Sequence, residues 1–293
     1  MMRKYCSLLS VLPLITAFNV QSETLYSAWN LEWLSNTPSE QFSSSQRSSD
    51  DYQSLQRHFE SMQSDVVAFQ EVNDKQALRK VIGNDYTIYM SQRAKSSNSR
   101  HQFDDINQYT GFAVNKGVPV KDMPDLKLDG NRNSKLRFAS YVVIEPDGKQ
   151  PVHALSVHLK ARCSGAFNGS KSCKTLKEQG QHLNKWILER EKLGDAYIIL
   201  GDFNHNMVYR GDWLWKEITQ GSKAELATQK TRALCKVKSR NNPSRTHQFR
   251  SLIDHIIVSH QLDYQKPKQD VYPVDDVLKY QLSDHCPVSM SLN

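Results

Sequence analysis

The chain has 293 residues, 38% hydrophobic and 24% charged, with a formal net charge of +7. This composition is ordinary for a globular protein and, with no low-complexity run, excludes a largely disordered or fibrous chain. One large layered domain is expected, and the basic balance favours an anionic partner without requiring one.

Arg3 and Lys4 precede an apolar stretch from Leu8 to Val20, and Gln21-Ser22 follow before Glu23. This is the pattern of a cleaved secretory signal over residues 1–22, leaving 23–293 as a single domain. A membrane anchor is the alternative, but the stretch is short and contains Pro13 and Asn19. The mature chain is expected to be secreted or periplasmic, monomeric and without a stable membrane anchor. Four cysteines remain after the signal. In an oxidising compartment an even number favours disulfides, with Cys163 and Cys173 closing a short loop and Cys235 left for Cys286. A zinc site is the competing reading, although no Cys-x-x-Cys pair supports it.

Thr24 to Leu34 reads as a first strand carrying Asn30 and Glu32, followed by a Ser-rich loop. Asp50 or Asp51 caps a predicted helix through Gln63, with Leu55, Phe59 and Met62 at helical spacing. Asp65 to Val72 is an apolar strand ending in Gln70-Glu71. A short helix over Lys75 to Ile82 and a strand over Tyr86 to Met90 come next. Residues 92–107 form a polar, basic loop of a length that is often functional. Tyr109 to Val114 is a strand. Leu136 to Ile144, which includes Arg137, and Val152 to Leu159, which includes His158, form a hairpin across Pro146-Asp147-Gly148. An amphipathic helix carries Leu176, Leu183, Trp186, Ile187 and Leu193 on one face and stops at Gly194. The β-run Ala196 to Leu200 then breaks into Gly201-Asp202-Phe203-Asn204. A shorter helix covers Trp213 to Ile218, where the tryptophans serve packing, base stacking or a membrane surface. Residues 229–250 form a basic loop, Ser251 to Val258 a strand holding Asp254, and Cys286 to Leu292 the last strand after Ser283-Asp284-His285.

Polar residues thus gather at strand ends, where layered α/β sheets present ligands. Carboxylates and amides without thiolates suit a hard cation such as Mg²⁺, with Glu71 the leading ligand. The histidines stand near Asp residues without a His-x₃-His pattern, which fits proton transfer better than zinc. Plainer readings stand beside these. Asn30, Tyr109 and Asn204 can satisfy turns, and His158 alternates with apolar residues as a core histidine does. Asp254 on an apolar strand is less ordinary, because an interior carboxylate needs a partner.

Trp29-Asn30, Gln70-Glu71, Tyr109-x-Gly111, His158, Gly201-Asp202-Phe203-Asn204, Asp254 and Ser283-Asp284-His285, in this order, resemble the endonuclease/exonuclease/phosphatase superfamily with the DNase-I-like fold. The resemblance spans the mature chain. It implies a four-layered α/β sandwich of two packed sheets flanked by helices, and phosphoester hydrolysis by activated water with Mg²⁺, for which Mn²⁺ or Ca²⁺ can substitute or assist. It further implies Glu71, Asn30 and Asp284 as metal-side residues and Asp254 orienting His285 as the base. Asp202 and Asn204 then position water and phosphate, while His158, Tyr109 and Arg137 contact the phosphate. Glu32 departs from the Asp common in relatives. His158 in Ser-Val-His-Leu resembles the nuclease and sphingomyelinase branches. The expectation is therefore a nuclease acting on DNA or RNA; the alternatives are a sphingomyelinase-type lipid phosphodiesterase and an inactive binding module.

Overall fold

A computed structural model describes residues 23–146 and 148–293. The signal expected over residues 1–22, and Asp147 of the hairpin turn, lie outside the described residues. The elements in order are β1 (Thr24–Leu34), α1 (Ser49–Met62), β2 (Val66–Val72), α2 (Lys75–Ile82), β3 (Tyr86–Met90), β4 (Tyr109–Asn115), β5 (Val120–Leu126), β6 (Ala139–Ile144) and β7 (Val152–His158). They continue with α3 (Lys171–Leu193), β8 (Ala196–Asp202), α4 (Trp213–Thr219), β9 (Glu225–Leu226), β10 (Lys236–Lys238), β11 (Thr246–Gln248), β12 (Asp254–Val258), β13 (Lys268–Gln269), α5 (Val274–Lys279) and β14 (Val288–Leu292).

Two mixed six-stranded sheets run in the orders β13-β14-β1-β2-β4-β3 and β5-β6-β7-β8-β12-β9. Their inner faces meet through apolar residues, with Ala28, Ala68 and Phe112 on one side and Ala154, Ile198, Leu200 and Ile256 on the other. The outer face of the first sheet is covered by α1 and α2 through Leu55, Phe59, Leu78 and Val81. That of the second is covered by α3 and α4 through Leu176, Leu183, Trp186, Leu214 and Ile218. The result is the expected four-layered sandwich. In each half a parallel strand pair, β1/β2 or β7/β8, is joined over the outer face by a helix, because a parallel pair needs a long crossover.

Several local expectations shift. The N-cap of α1 is Ser48, whose side chain accepts from Asp51 N while Asp51 accepts from the Ser48 backbone, so Asp51 is the third residue of a capping box rather than the cap. Leu193 is 62% exposed, because it lies in the last turn of α3 beyond the buried face. Residues 92–107 are not a plain loop: short 3-10 turns span Gln92–Ala94 and Ser96–His101 around a buried Arg93. The basic segment 229–250 contains the β10–β11 hairpin, which its three-residue strands are too short to announce by periodicity. Both cysteine pairs form, Cys163–Cys173 and Cys235–Cys286, which leaves no thiolate among the described residues for a zinc site.

The neighbouring strand β7 crowds the backbone at Gly201, which has φ 140°. A Cβ there would lie 2.1 Å from the backbone O of Val157 and 3.0 Å from Gln70 Nε2. Gly201→Ala is therefore expected to destabilise the fold by about 3 kcal/mol or more, combining backbone strain with overpacking. At this chain length that lowers the melting temperature by roughly 10 °C. Calorimetry checks it, and an unchanged transition would refute the close-approach argument.

Candidate active site

Strand register alone assembles half of the site. His158 of β7 lies directly beside Asp202 of β8, and Asp202 faces Asp254 of β12, so the three stand in a row across one sheet. The other half comes from the facing sheet, where Asn30 pairs with Gln70. Beyond that pair the ladders lose register, between Asn30 and Leu34 and between Phe69 and Val72. Within the gap Glu32, Trp33 and Glu71 take left-handed backbone angles, φ 43°, 54° and 58°. Such a bulge re-aims side chains, and non-glycine residues held there cost on the order of 1–3 kcal/mol each, a strain typical of functional sites. Glu71 is turned so that it accepts from Asn30 Nδ2 at 3.1 Å and from Trp33 N at 3.2 Å. Asn204 is also left-handed, with φ 53°.

One oxygen, Asp202 Oδ2, is the hub. It accepts from Asn30 Nδ2 and Asn204 Nδ2, both at 3.1 Å, and lies 3.5 Å from His158 Nε2 and 3.9 Å from His285 Nε2. The second oxygen, Oδ1, accepts from Asn204 N at 2.7 Å. Burial pushes the Asp202 carboxyl up to about 7; His285 works against that rise, and Asp254 and Glu71 add to it. Burial also raises Glu71, eased by its bond from Asn30. His158 Nε2 lies 3.5 Å from Glu71 Oε1. Burial and then Arg137 and His285 hold this imidazole well below its ordinary value, so it stands neutral.

His285 behaves in the opposite way. Its Nδ1 is 2.7 Å from Asp254 Oδ2, which turns Nε2 towards Asp202 and towards Asp284 Oδ1 at 3.7 Å. Burial disfavours the imidazolium, but Asp254, Asp202 and Asp284 outweigh it and hold the pKa well above the usual histidine value. Asp284 donates its backbone N to Glu32 Oε2 at 2.9 Å. Burial first and Asp284 second push Glu32 up to about 7.

Arg137 braces the end of β7, donating from Nε to His158 O at 3.2 Å and from Nη2 to Leu159 O at 2.8 Å, and its charge bears on Glu71 and Asp202. Tyr109 is buried, and its described contact is with the Arg93 guanidinium 5.2 Å from its ring rather than with the carboxylates. Arg93 itself donates to His101 O at 2.7 Å and to Asn107 Oδ1 at 3.0 Å. Sequence reasoning places Arg93 in a solvated loop, and only the neighbouring aromatics hint otherwise. It also gives no role to Ser283 within the Ser283-Asp284-His285 motif and passes over Arg47. Ser283 Oγ donates to Asn30 O at 2.7 Å and accepts from His285 N at 3.1 Å, clipping the histidine turn to β1. Arg47 reaches Leu31 O and Leu282 O at 3.1 and 2.7 Å. A lone arginine in a Ser-rich loop carries no pattern that foretells this.

Two clusters have ligand atoms close enough to share an ion: Glu71, His158 and Asp202, and Asp202, Asp254 and His285. Five acidic groups, Glu32, Glu71, Asp202, Asp254 and Asp284, meet here, and the donors are oxygens and imidazole nitrogens. This set fits a hard divalent cation, whose charge would relieve the mutual repulsion of the buried carboxylates. Asn30 in this geometry directs its NH₂ to Glu71 and Asp202, while its Oδ1 accepts from Glu32 N at 3.0 Å.

No curated protein sequence matches the chain. Among solved structures, an endonuclease/exonuclease/phosphatase from Bacteroides vulgatus superposes with TM-score 0.66 at 16% identity, covering 93% of this chain and 99% of the other. A truncated TDP2 from Caenorhabditis elegans gives TM-score 0.59 at 15% identity over 92% and 97%. A mannosyl-6-phosphatase from Bacteroides thetaiotaomicron gives 0.62 at 16% identity over 92% and 99%. These likenesses concern the fold. The family model for the endonuclease/exonuclease/phosphatase family matches residues 17–285, and the chain belongs to that family.

Proposed function

We propose that this protein is an exported, monomeric, Mg²⁺-dependent phosphodiesterase that hydrolyses nucleic acid with an activated water. The observation carrying this reading is the convergence of Asn30, Asn204, His158 and His285 on Asp202 Oδ2, with Glu71 alongside. Glu71 would hold the ion, with Asn30 fixing its carboxylate and Asp284 available on the other side; when bound, the ion supplies charge for the phosphate and its attacking water. Asp254 sets the ring of His285. The proton leaving the water enters the Asp202–His285 pair, whose titration belongs to both groups. Asn204 holds Asp202 in place, its amide NH₂ donating to Asp202 Oδ2 and to Leu159 O. His158, neutral and facing the site with Nε2, would present an N–H to a phosphate oxygen or the leaving group.

Nucleic acid is favoured by charge. Between Leu226 and Ile253 lie Lys230, Arg232, Lys236, Lys238, Arg240, Arg245 and Arg250 and no acidic residue, which suits phosphate contacts. A lipid substrate is less well served, because Leu214 is buried and Trp213 and Trp215 pack against the α3–α4 cluster instead of forming an exposed apolar loop. Two disulfides fit an oxidising compartment. The mature protein is expected to nick plasmid DNA or degrade RNA with Mg²⁺ and to stop on addition of EDTA. Turnover of sphingomyelin vesicles or a sugar phosphate, with no nucleic acid cleaved under any divalent ion, would refute the nuclease reading.

A further inference from the structure

A groove of about 650 Å³ runs from the site along the β10–β11 hairpin. Glu32, Ser283 and Asp284 form its inner end, so it is continuous with the carboxylate cluster. The hairpin wall carries Lys238, Arg240, His247 and Phe249, and the opposite wall is the turn at Ser43 and Ser44. Three features make this a built surface. The base of the hairpin is tied by the Cys235–Cys286 disulfide to the residue that follows His285. Gln269 Oε1 accepts from Leu234 N and Cys235 N at 2.7 and 2.8 Å. Lys238 Nζ donates to Tyr280 O at 3.4 Å, joining the arm to the end of α5.

The chemistry of the wall is mixed in a specific way. Phe249 is 40% exposed, and His247 stands edge-on to it with centroids 5.2 Å apart. Arg240 is 91% exposed at its side chain and reaches Asp284 at only 3.6 Å, a loose pair that an incoming phosphate can displace. Cations that track a backbone beside aromatic faces that accept any base are the two components of single-strand binding. The volume lies within the range of about 300–1,000 Å³ that buries small ligands.

We propose that this groove is a subsite for single-stranded nucleic acid, taking the nucleotides on one side of the scissile phosphate. Arg240 and Lys238 meet backbone phosphates, and Phe249 with His247 receives a base. The inference rests on the nuclease reading above. It is tested by measuring kcat/KM with Mg²⁺ on single-stranded oligodeoxynucleotides from dinucleotide to octamer, for the wild type and for Lys238→Ala/Phe249→Ala. The wild type is expected to prefer the octamer by tenfold or more, and the variant to lose about tenfold of that preference, in keeping with one lost stack and one lost phosphate contact. Arg240→Ala, at a position exposed enough to leave folding untouched, is expected to lower the slope of log kcat/KM against log salt by roughly one. An unchanged length preference in the double variant together with an unchanged salt slope in Arg240→Ala overturns the subsite while leaving the nuclease reading intact. So does a wild type that cleaves duplex but not single strands. A wild type that hydrolyses bis-p-nitrophenyl phosphate but no nucleic acid overturns the nuclease reading and the subsite with it.

Discussion

His285→Ala is expected to lower kcat by about 10²–10⁴-fold, the usual contribution of a positioned proton-transfer group. The expectation follows from geometry. Asp254 Oδ2 holds Nδ1 at 2.7 Å, so the free nitrogen is aimed at Asp202 and Asp284 and at the space between them. Asp254→Asn should reproduce much of the loss without touching the phosphate, because the ring loses the negative charge that fixes its tautomer and favours its protonated form. Burial pushes the Asp202 carboxyl up to about 7. The Asp202–His285 pair can accept a proton only after losing one, so kcat/KM is expected to rise with pH through that value. The same raised pKa makes Asp202 a contributor to stability at acidic pH that is lost as pH rises through about 7, so the fold tolerates mild acid better than the activity does. Steady-state kinetics from pH 5 to 9 and thermal melts check these statements. If His285→Ala turned over within threefold of the wild type, the proton would have to leave by another route.

The second large effect concerns Glu71→Gln, which keeps the shape and removes one charge, its single oxygen retaining only one of the two bonds accepted from Asn30 and Trp33. At subsaturating Mg²⁺ a loss of about 100-fold or more in rate is expected, since Mg²⁺ is bound through one or two carboxylates. The stability readout depends on the metal. Burial makes the Glu71 carboxylate costly, but the bond from Asn30 and the charge of His285 offset that cost and Gln forfeits one accepted bond, so the metal-free variant should melt close to the wild type. Adding Mg²⁺ should stabilise the wild type, by about 2.7 kcal/mol at 100 times Kd, and leave the variant almost unmoved. Differential scanning calorimetry with and without Mg²⁺ separates this from a merely structural role. A variant that is destabilised without metal and still rises with Mg²⁺ would place the ion elsewhere.

Much of this is legible in the sequence. β1 and α2 fall on their expected bounds, because Thr24 to Leu34 is rich in β-formers and Lys75 to Ile82 has Asp74 as cap and Gly83 as stop. The row His158, Asp202 and Asp254 was visible as three polar residues ending apolar strands. Their adjacency was not, since register between strands far apart in sequence depends on packing. The bulge at Glu71 escaped for a related reason. Nothing local in Val66–Val72 announces a left-handed residue, and the conformation is imposed by the bonds Glu71 makes to Trp33 and Asn30. Buried Arg93 and half-buried Arg47 are not legible as structural groups, because such an arginine is recognised by the carbonyls around it, and carbonyls have no sequence signature. The hairpin of Lys236–Lys238 and Thr246–Gln248 is too short for a periodicity to emerge.

The distances along the chain between partners in the site carry a consequence for how activity is acquired. Asn30 bonds Asp202 across 172 positions, Ser283 bonds Asn30 across 253, and Gln70 bonds Ser156 across 86. Contacts of such separation form late and slowly, after helices and hairpins are in place. During refolding, helical signal should therefore return before turnover, and an ensemble with complete secondary structure but undocked sheets should be inert. Catalytic rate in this protein is a gauge of the last act of folding, the seating of one sheet upon the other.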